Sequence, residues 1–300
     1  MNCREFSEIL MEEVRHQCGY SIEVTHRTLL KNNGIQKEAL ELYVSEDFLA
    51  PSIYVDSYYE NFQKGVSVKQ LAAMLLRNYY ALEERPKPPE GFFKDFSSIS
   101  GRIYCRLINY EKNRELLQEI PHEKWLDLAI VYYYLLEDEL LQDATILIHN
   151  AHLLFWGVDE KKLRDAAWYN TIHGMKPVFQ TLGSALKEVE LEMMGEVFSE
   201  TEEMMRQNNL YIVTNRKKSF GAIGICHPGQ LQKIAQVLDS DFYLLPSSVH
   251  ECLILAGDEE YCLEDLSEMV REINESQVEA QEVLADHAYF YDRRTGKFTF

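Results

Sequence analysis

The chain predicts an α+β fold with several antiparallel hairpins and interspersed helices, arranged in two lobes. Three observations carry that prediction. Strand-length runs arrive in hairpin pairs, stretches of helical period stand between them, and no regular βαβ alternation joins them into a parallel sheet. The division into lobes rests on RPKPPEG at residues 85–91, where three prolines remove backbone donors and a glycine follows. We place an N-terminal lobe at 1–84, a proline-rich linker at 85–95 and a larger lobe at 96–300, with a looser joint near 207–209.

In order, residues 5–18 carry Phe6, Ile9, Leu10 and Val14 at helical spacing, and Gly19 can end that helix. Residues 21–29 and 35–44 read as strands, because Asn32, Asn33 and Gly34 supply the positive backbone angles of a tight turn. A short strand at 51–55 and a short helix at 57–64 follow. Ser67 is placed to cap a longer helix whose face is Val68, Leu71, Leu75 and Tyr79.

Beyond the linker, 103–109 is a strand and 111–120 a short helix. Residues 125–136 form an apolar aromatic run read as a buried strand, although helical spacing is also present in it. Pairing with 145–149 across the acidic turn 137–139 makes a second hairpin. Asn150 is expected to cap a helix at 151–156. Residues 159–169 and 182–207 are helical in pattern. The remainder alternates: strands at 210–214 and 222–226, a helix at 229–238, strands at 242–245 and 251–255, a helix at 263–273, and a closing hairpin around Thr295 and Gly296.

Composition limits what such a chain can do. An apolar share of 46%, with 18 Tyr and 14 Phe, is enough to build a packed core along nearly the whole length. The formal net charge of -19 argues against direct nucleic-acid binding, which needs clustered cations. It is compatible with a basic protein partner, or with imitation of a nucleic-acid backbone toward a DNA- or RNA-binding protein. The longest uncharged apolar run is too short for a bilayer, and acids interrupt residues 1–20, so neither a membrane span nor an export signal is expected. The six cysteines lack C-x-x-C spacing and are expected to be reduced and structural, as in a cytoplasmic protein.

Few residues suggest chemistry. His149 and His152 stand at a strand exit with metal-ligand types, but a zinc site would need further groups from His250, Glu251, or Cys226 with His227. PSSVHE at 246–251 gathers hydroxyls, the His250 imidazole and the Glu251 carboxylate, yet neighbours along an extended chain point to alternating faces. A serine turn explains it as well. There is no phosphate-binding glycine loop and no nucleophile elbow, and no cofactor or bound metal is expected. Candidate partner-contact residues are Met193, Met194, Met204 and Met205 on the acidic helix, with Tyr58 and Tyr59 of the first lobe.

Residues 102–156, the echo LLPSSVHE at 244–251, NNG at 32–34, PSIYVDSYYENFQKG at 51–65 and the closing residues 289–292 together resemble a family of Gram-positive anaerobes known as a domain of unknown function. The resemblance spans nearly the whole chain and implies a bacterial, cytoplasmic protein without implying an activity. The leading expectation is a non-catalytic protein-interaction or regulatory protein with an acidic surface. The alternatives are a metal-dependent hydrolase using His149, His152 and His250, and a nucleic-acid mimic.

Overall fold

The computed structural model describes residues 1–19, 22–43, 52–83, 93–136, 144–185, 210–246, 248–257 and 261–300. The chain divides into two compact units, Met1–Glu90 and Gly91–Phe300. In the first, helix α1 (Cys3–Cys18) buries Phe6, Leu10 and Val14. Asn2 and Glu5 close a reciprocal capping box at its start, and Gly19 ends it at φ 66°. Strands β1 (Glu23–Leu30) and β2 (Gln36–Tyr43) pair antiparallel around a 3-10 turn in which Asn33 takes φ 62°. The sheet is completed by β3 (Ser52–Tyr54) on β2. Helices α2 (Asp56–Gln63) and α3 (Val68–Glu83) follow, and Leu71, Leu75 and Tyr79 join the α1 face in one core.

That core also takes the two tyrosines proposed for partner contact. Tyr58 is only 7% exposed, and its hydroxyl accepts a hydrogen bond from Asn78 Nδ2 at 3.0 Å. Tyr59 packs its ring 5.5 Å from that of Phe6 and donates to the Met1 carbonyl at 2.7 Å. Tyr58 is thus buried beside α3 and Tyr59 packs on α1, which corrects the reading of Tyr58 as a surface anchor.

The second unit begins with α4 (Phe96–Ile99), β4 (Ile103–Asn109), α5 (Arg114–Glu119), β5 (His122–Trp125), β6 (Leu128–Leu136) and β7 (Ala144–Leu147). Then come α6 (Asn150–Trp156), α7 (Glu160–Gly174), β8 (Pro177–Thr181), β9 (Leu210–Asn215), a 3-10 helix at Gly221–Cys226, and α8 (Gln230–Leu238). The chain closes with β10 (Phe242–Leu245), β11 (Cys252–Ala256), α9 (Leu263–Gln277), β12 (Tyr289–Asp292) and β13 (Lys297–Thr299). The described strands form a sheet in which β4 flanks one side of β6 while β5 and β7 share its other side, and a six-stranded sheet ordered β13-β12-β10-β11-β9-β8. Every pairing is antiparallel, so the fold is α+β.

Strand β6 is buried on both faces. Leu128, Ile130, Tyr132 and Tyr134 enter the main core, whereas Ala129 and Val131 pack with α5, and Tyr133 and Leu135 with Met175. A strand covered twice has no polar face, which is why its sequence lacks alternation and also fits a helical template. Trp125 belongs to β5, because Leu126 at φ 54° and Asp127 turn the chain inside the apolar run.

The strand expected at 222–226 is instead the 3-10 helix Gly221–Cys226. Strand β9 is already paired with β8 on one side and β11 on the other, so no free edge remains for it. Glycines allow this tight turn to press on the sheet: a Cβ at Gly221 would lie 2.5 Å from Thr214 Oγ1 and 2.6 Å from both the Asn215 amide and the His250 carbonyl. Strands β5 and β8 were not anticipated, since each is short and one opens on proline. The linker at 85–95 is undescribed up to residue 92, and the joint at 207–209 lies wholly outside the described residues. The helix expected at 182–207 is helical at 182–185, and the rest of it, with Met193, Met194, Met204 and Met205, also lies outside them.

Candidate functional site

His149 and His152 are brought together at the start of α6, with ring centroids 5.7 Å apart. His149, rather than Asn150, is the cap residue: its backbone amide donates to His152 Nδ1 at 3.0 Å, while Asn150 Nδ2 reaches the Gln118 carbonyl at 3.2 Å. His152 lies against Phe93 and stacks on Trp156, and burial, followed by the neighbouring His149, lowers its pKa. A neutral ring that accepts at Nδ1 carries its proton on Nε2. The same helix leaves Leu154 and Phe155 84% and 65% exposed.

His250 is placed differently. It ends the loop between β10 and β11, where Ser248 bridges Val283 and its Oγ accepts the His250 backbone amide at 3.0 Å. The imidazole Nδ1 accepts the Phe220 amide at 3.2 Å, and Nε2 faces Glu282 Oε1 at 3.3 Å. The ring also stacks on Phe220 at 5.5 Å, and Thr214 Oγ1 donates to the His250 carbonyl at 2.9 Å. Burial raises the pKa of the neighbouring Glu251 carboxyl, partly offset by His250 and a hydrogen bond from Ser248. With both ring nitrogens engaged, the imidazole has no basic nitrogen turned toward the Ser248 hydroxyl. The described groups of PSSVHE are thus engaged by one another and by Phe220 and Glu282.

Among the described residues, no three His, Cys, Asp or Glu side chains are grouped so that they could hold a metal ion. His149 and His152 therefore do not gain His250, Glu251, or Cys226 with His227 as metal-holding companions. Burial lowers the pKa of His227, whose ring meets the edge of Trp168. The Cys105 thiol is pushed up to about 12 by burial, and that of Cys252 is also raised, which suits packing rather than nucleophilic chemistry.

Two charged constellations went unnoticed in the sequence. Asp127, on the β5–β6 turn, accepts from Tyr289 OH at 2.5 Å and from His287 Nε2 at 2.8 Å. Burial alone would raise its carboxyl, but these hydrogen bonds outweigh it and hold the pKa below the usual value. The Asp127 hydrogen bond raises His287 in turn. The members lie some 160 positions apart along the chain, so no local motif signals them.

The other is Arg106 in the middle of β4. Its guanidinium carbon lies 4.9 Å from the Phe220 ring centroid and 5.9 Å from that of Tyr133, and its Nε is buried without a hydrogen-bond partner among the described residues. The available signal was a cation at an alternating position within RIYCRLIN, a strand otherwise apolar at its centre.

No described helix is long and apolar enough to cross a membrane. No curated protein and no solved structure matches the chain. Over residues 3–293 it matches the family of unknown function DUF5688, and the protein belongs to that family.

Proposed function

We propose that this is a non-catalytic, cytoplasmic interaction protein whose acidic surface meets a basic protein partner. The observation that supports it is the commitment of three of the nominated groups to backbone donors: His152 Nδ1 to the His149 amide, His250 Nδ1 to the Phe220 amide, and Ser248 Oγ to the His250 amide. A general base needs a lone pair within reach of the proton it removes, and these lone pairs are occupied by backbone donors. The charge of -19 favours a cationic partner and fast, steered association. Exposed Leu154 and Phe155 add apolar area of the kind that interfaces bury.

The test is capture of the tagged protein from its host lysate at low and high salt, followed by titration of the recovered partner. The expected result is a stoichiometric partner whose affinity falls steeply with ionic strength and again with Leu154→Asp/Phe155→Asp. Recovery of the protein alone at both salts, or an affinity indifferent to salt, overturns the reading.

A further inference from the structure

Arg106 pairs with Val131 of β6 and shares a face of β4 with Tyr104, opposite the face of Cys105 and Leu107 that enters the main core. The side chain meets an apolar, aromatic group formed by Tyr133, Leu135 and Met175, with Tyr104 and Phe220 packed on it. Tyr133 OH donates to Met175 Sδ at 3.4 Å. Among the described residues Arg106 makes no hydrogen bond and no ion pair. Burial pushes its pKa down to about 10, still high enough to keep it charged at neutral pH. Cation–π contacts return only part of what desolvating a guanidinium costs. A chain with 49 acids against 30 cations has placed one of those cations, half-buried, where no carboxylate of the described residues meets it.

Two further features adjoin it. The turn after β9 exposes Arg216, Lys217 and Lys218 in succession, immediately before the Ser219–Phe220 pair. Phe220 itself is held at φ 50°, ψ 29°, a left-handed conformation that is costly for an aromatic residue. The amide bond to His250, the ring stack on His250 and the close approach of Gly221 fix it there, presenting the ring to Arg106.

We propose that Arg106 anchors a binding site for a small oxyanion, the carboxylate or phosphate group of a small molecule, with Phe220 and Tyr133 as its aromatic walls. A planar guanidinium offers paired donors that match either group in a bidentate fork. The cations at 216–218 lie next to the Phe220 wall along the chain and oppose the repulsion that the acidic protein otherwise exerts on an anion. The ligand would carry the opposite charge to the basic partner proposed above.

The test uses the purified full chain in low-salt buffer, with inorganic phosphate and succinate as the two probes, followed by calorimetry and thermal unfolding. One probe should bind with one-to-one stoichiometry and raise the melting temperature by about 5 °C near saturation. Arg106→Met should abolish both signals, whereas Arg106→Lys, which keeps the charge without the fork, should bind about tenfold more weakly. Without probe, Arg106→Met should melt no lower than wild type, because it removes an uncompensated charge. The better probe distinguishes a phosphate from a carboxylate ligand. Absence of binding to wild type with either probe, or an equal thermal shift in wild type and Arg106→Met, overturns the proposal. Wild-type calorimetry decides this even if a variant does not fold. Since no partner protein is present, the outcome is independent of the capture experiment.

Discussion

Asp127 and Arg106 are both charged groups drawn out of water in the same unit, yet the fold treats them in opposite ways. Asp127 receives donors from both His287 and Tyr289, and Asn109 Nδ2 ties the adjacent segment by reaching the Leu284 carbonyl at 3.0 Å. Among the described residues, Arg106 receives only ring faces. A buried charge completed within the chain belongs to the architecture, because breaking it leaves stranded partners. One left incomplete costs stability without return from the protein itself, and selection for something outside the chain is the physical reason to retain it.

The largest effect should come from the wall that holds the incomplete site. Gly221→Ala drives a Cβ into two backbone atoms that cannot swing away, and should lower stability by about 3 kcal/mol in urea unfolding. Near-wild-type stability would mean that the Phe220 turn is not locked. Next, Asp127→Ala strands the His287 and Tyr289 donors and should cost about 2 kcal/mol by the same measurement. Tyr289→Phe, which removes one of the two bonds, should cost about 1 kcal/mol. If the two substitutions were equal, His287 would contribute nothing to the clamp. Arg106→Met should be the smallest, within about 0.5 kcal/mol of wild type or stabilising. A loss matching that of Asp127→Ala would erase the contrast between the two sites.

The completed site also has a pH signature. The folded pKa of His287 is raised, so its contribution is fully present below the ordinary imidazole value and is lost as pH rises through the folded one. That of Asp127 is lowered, so its contribution is present above the ordinary carboxylate value and is lost as pH falls through the folded one. The pair should therefore support stability most between about pH 4 and pH 6.5. Subtracting the pH-stability profile of Asp127→Asn from that of wild type should reveal a maximum there, and a flat difference would show that the pair is not charged.

Local physics explains which elements could be read in advance. The apolar stripe of α1, its end at Gly19 and the Asn32–Gly34 turn act within a few residues, so sequence order displays them directly. Residues 222–226 were misread because an apolar run looks alike as a strand or as a buried 3-10 turn, and only the occupied edges of β9 exclude the strand. Tyr58 was misread because an aromatic with a polar tip serves a core or an interface equally well until its neighbours are known. At the candidate sites the histidines were visible as residue types, while their engagement was not: what occupies the His250 ring comes from Phe220 and Glu282, each about 30 positions away.

By itself the sequence determined the α+β class, the first hairpin, the amphipathic helices of the described residues, the acidic charge and the resemblance to a family without an activity, since these depend on short-range periodicity, turn chemistry and composition. Only the tertiary structure decided that β6 is covered on both faces, that Asp127 is answered by His287 and Tyr289, and that Arg106 meets aromatic faces and no carboxylate among the described residues. Burial and electrostatic compensation are properties of what surrounds a side chain, and those surroundings are assembled from segments that the linear order keeps far apart.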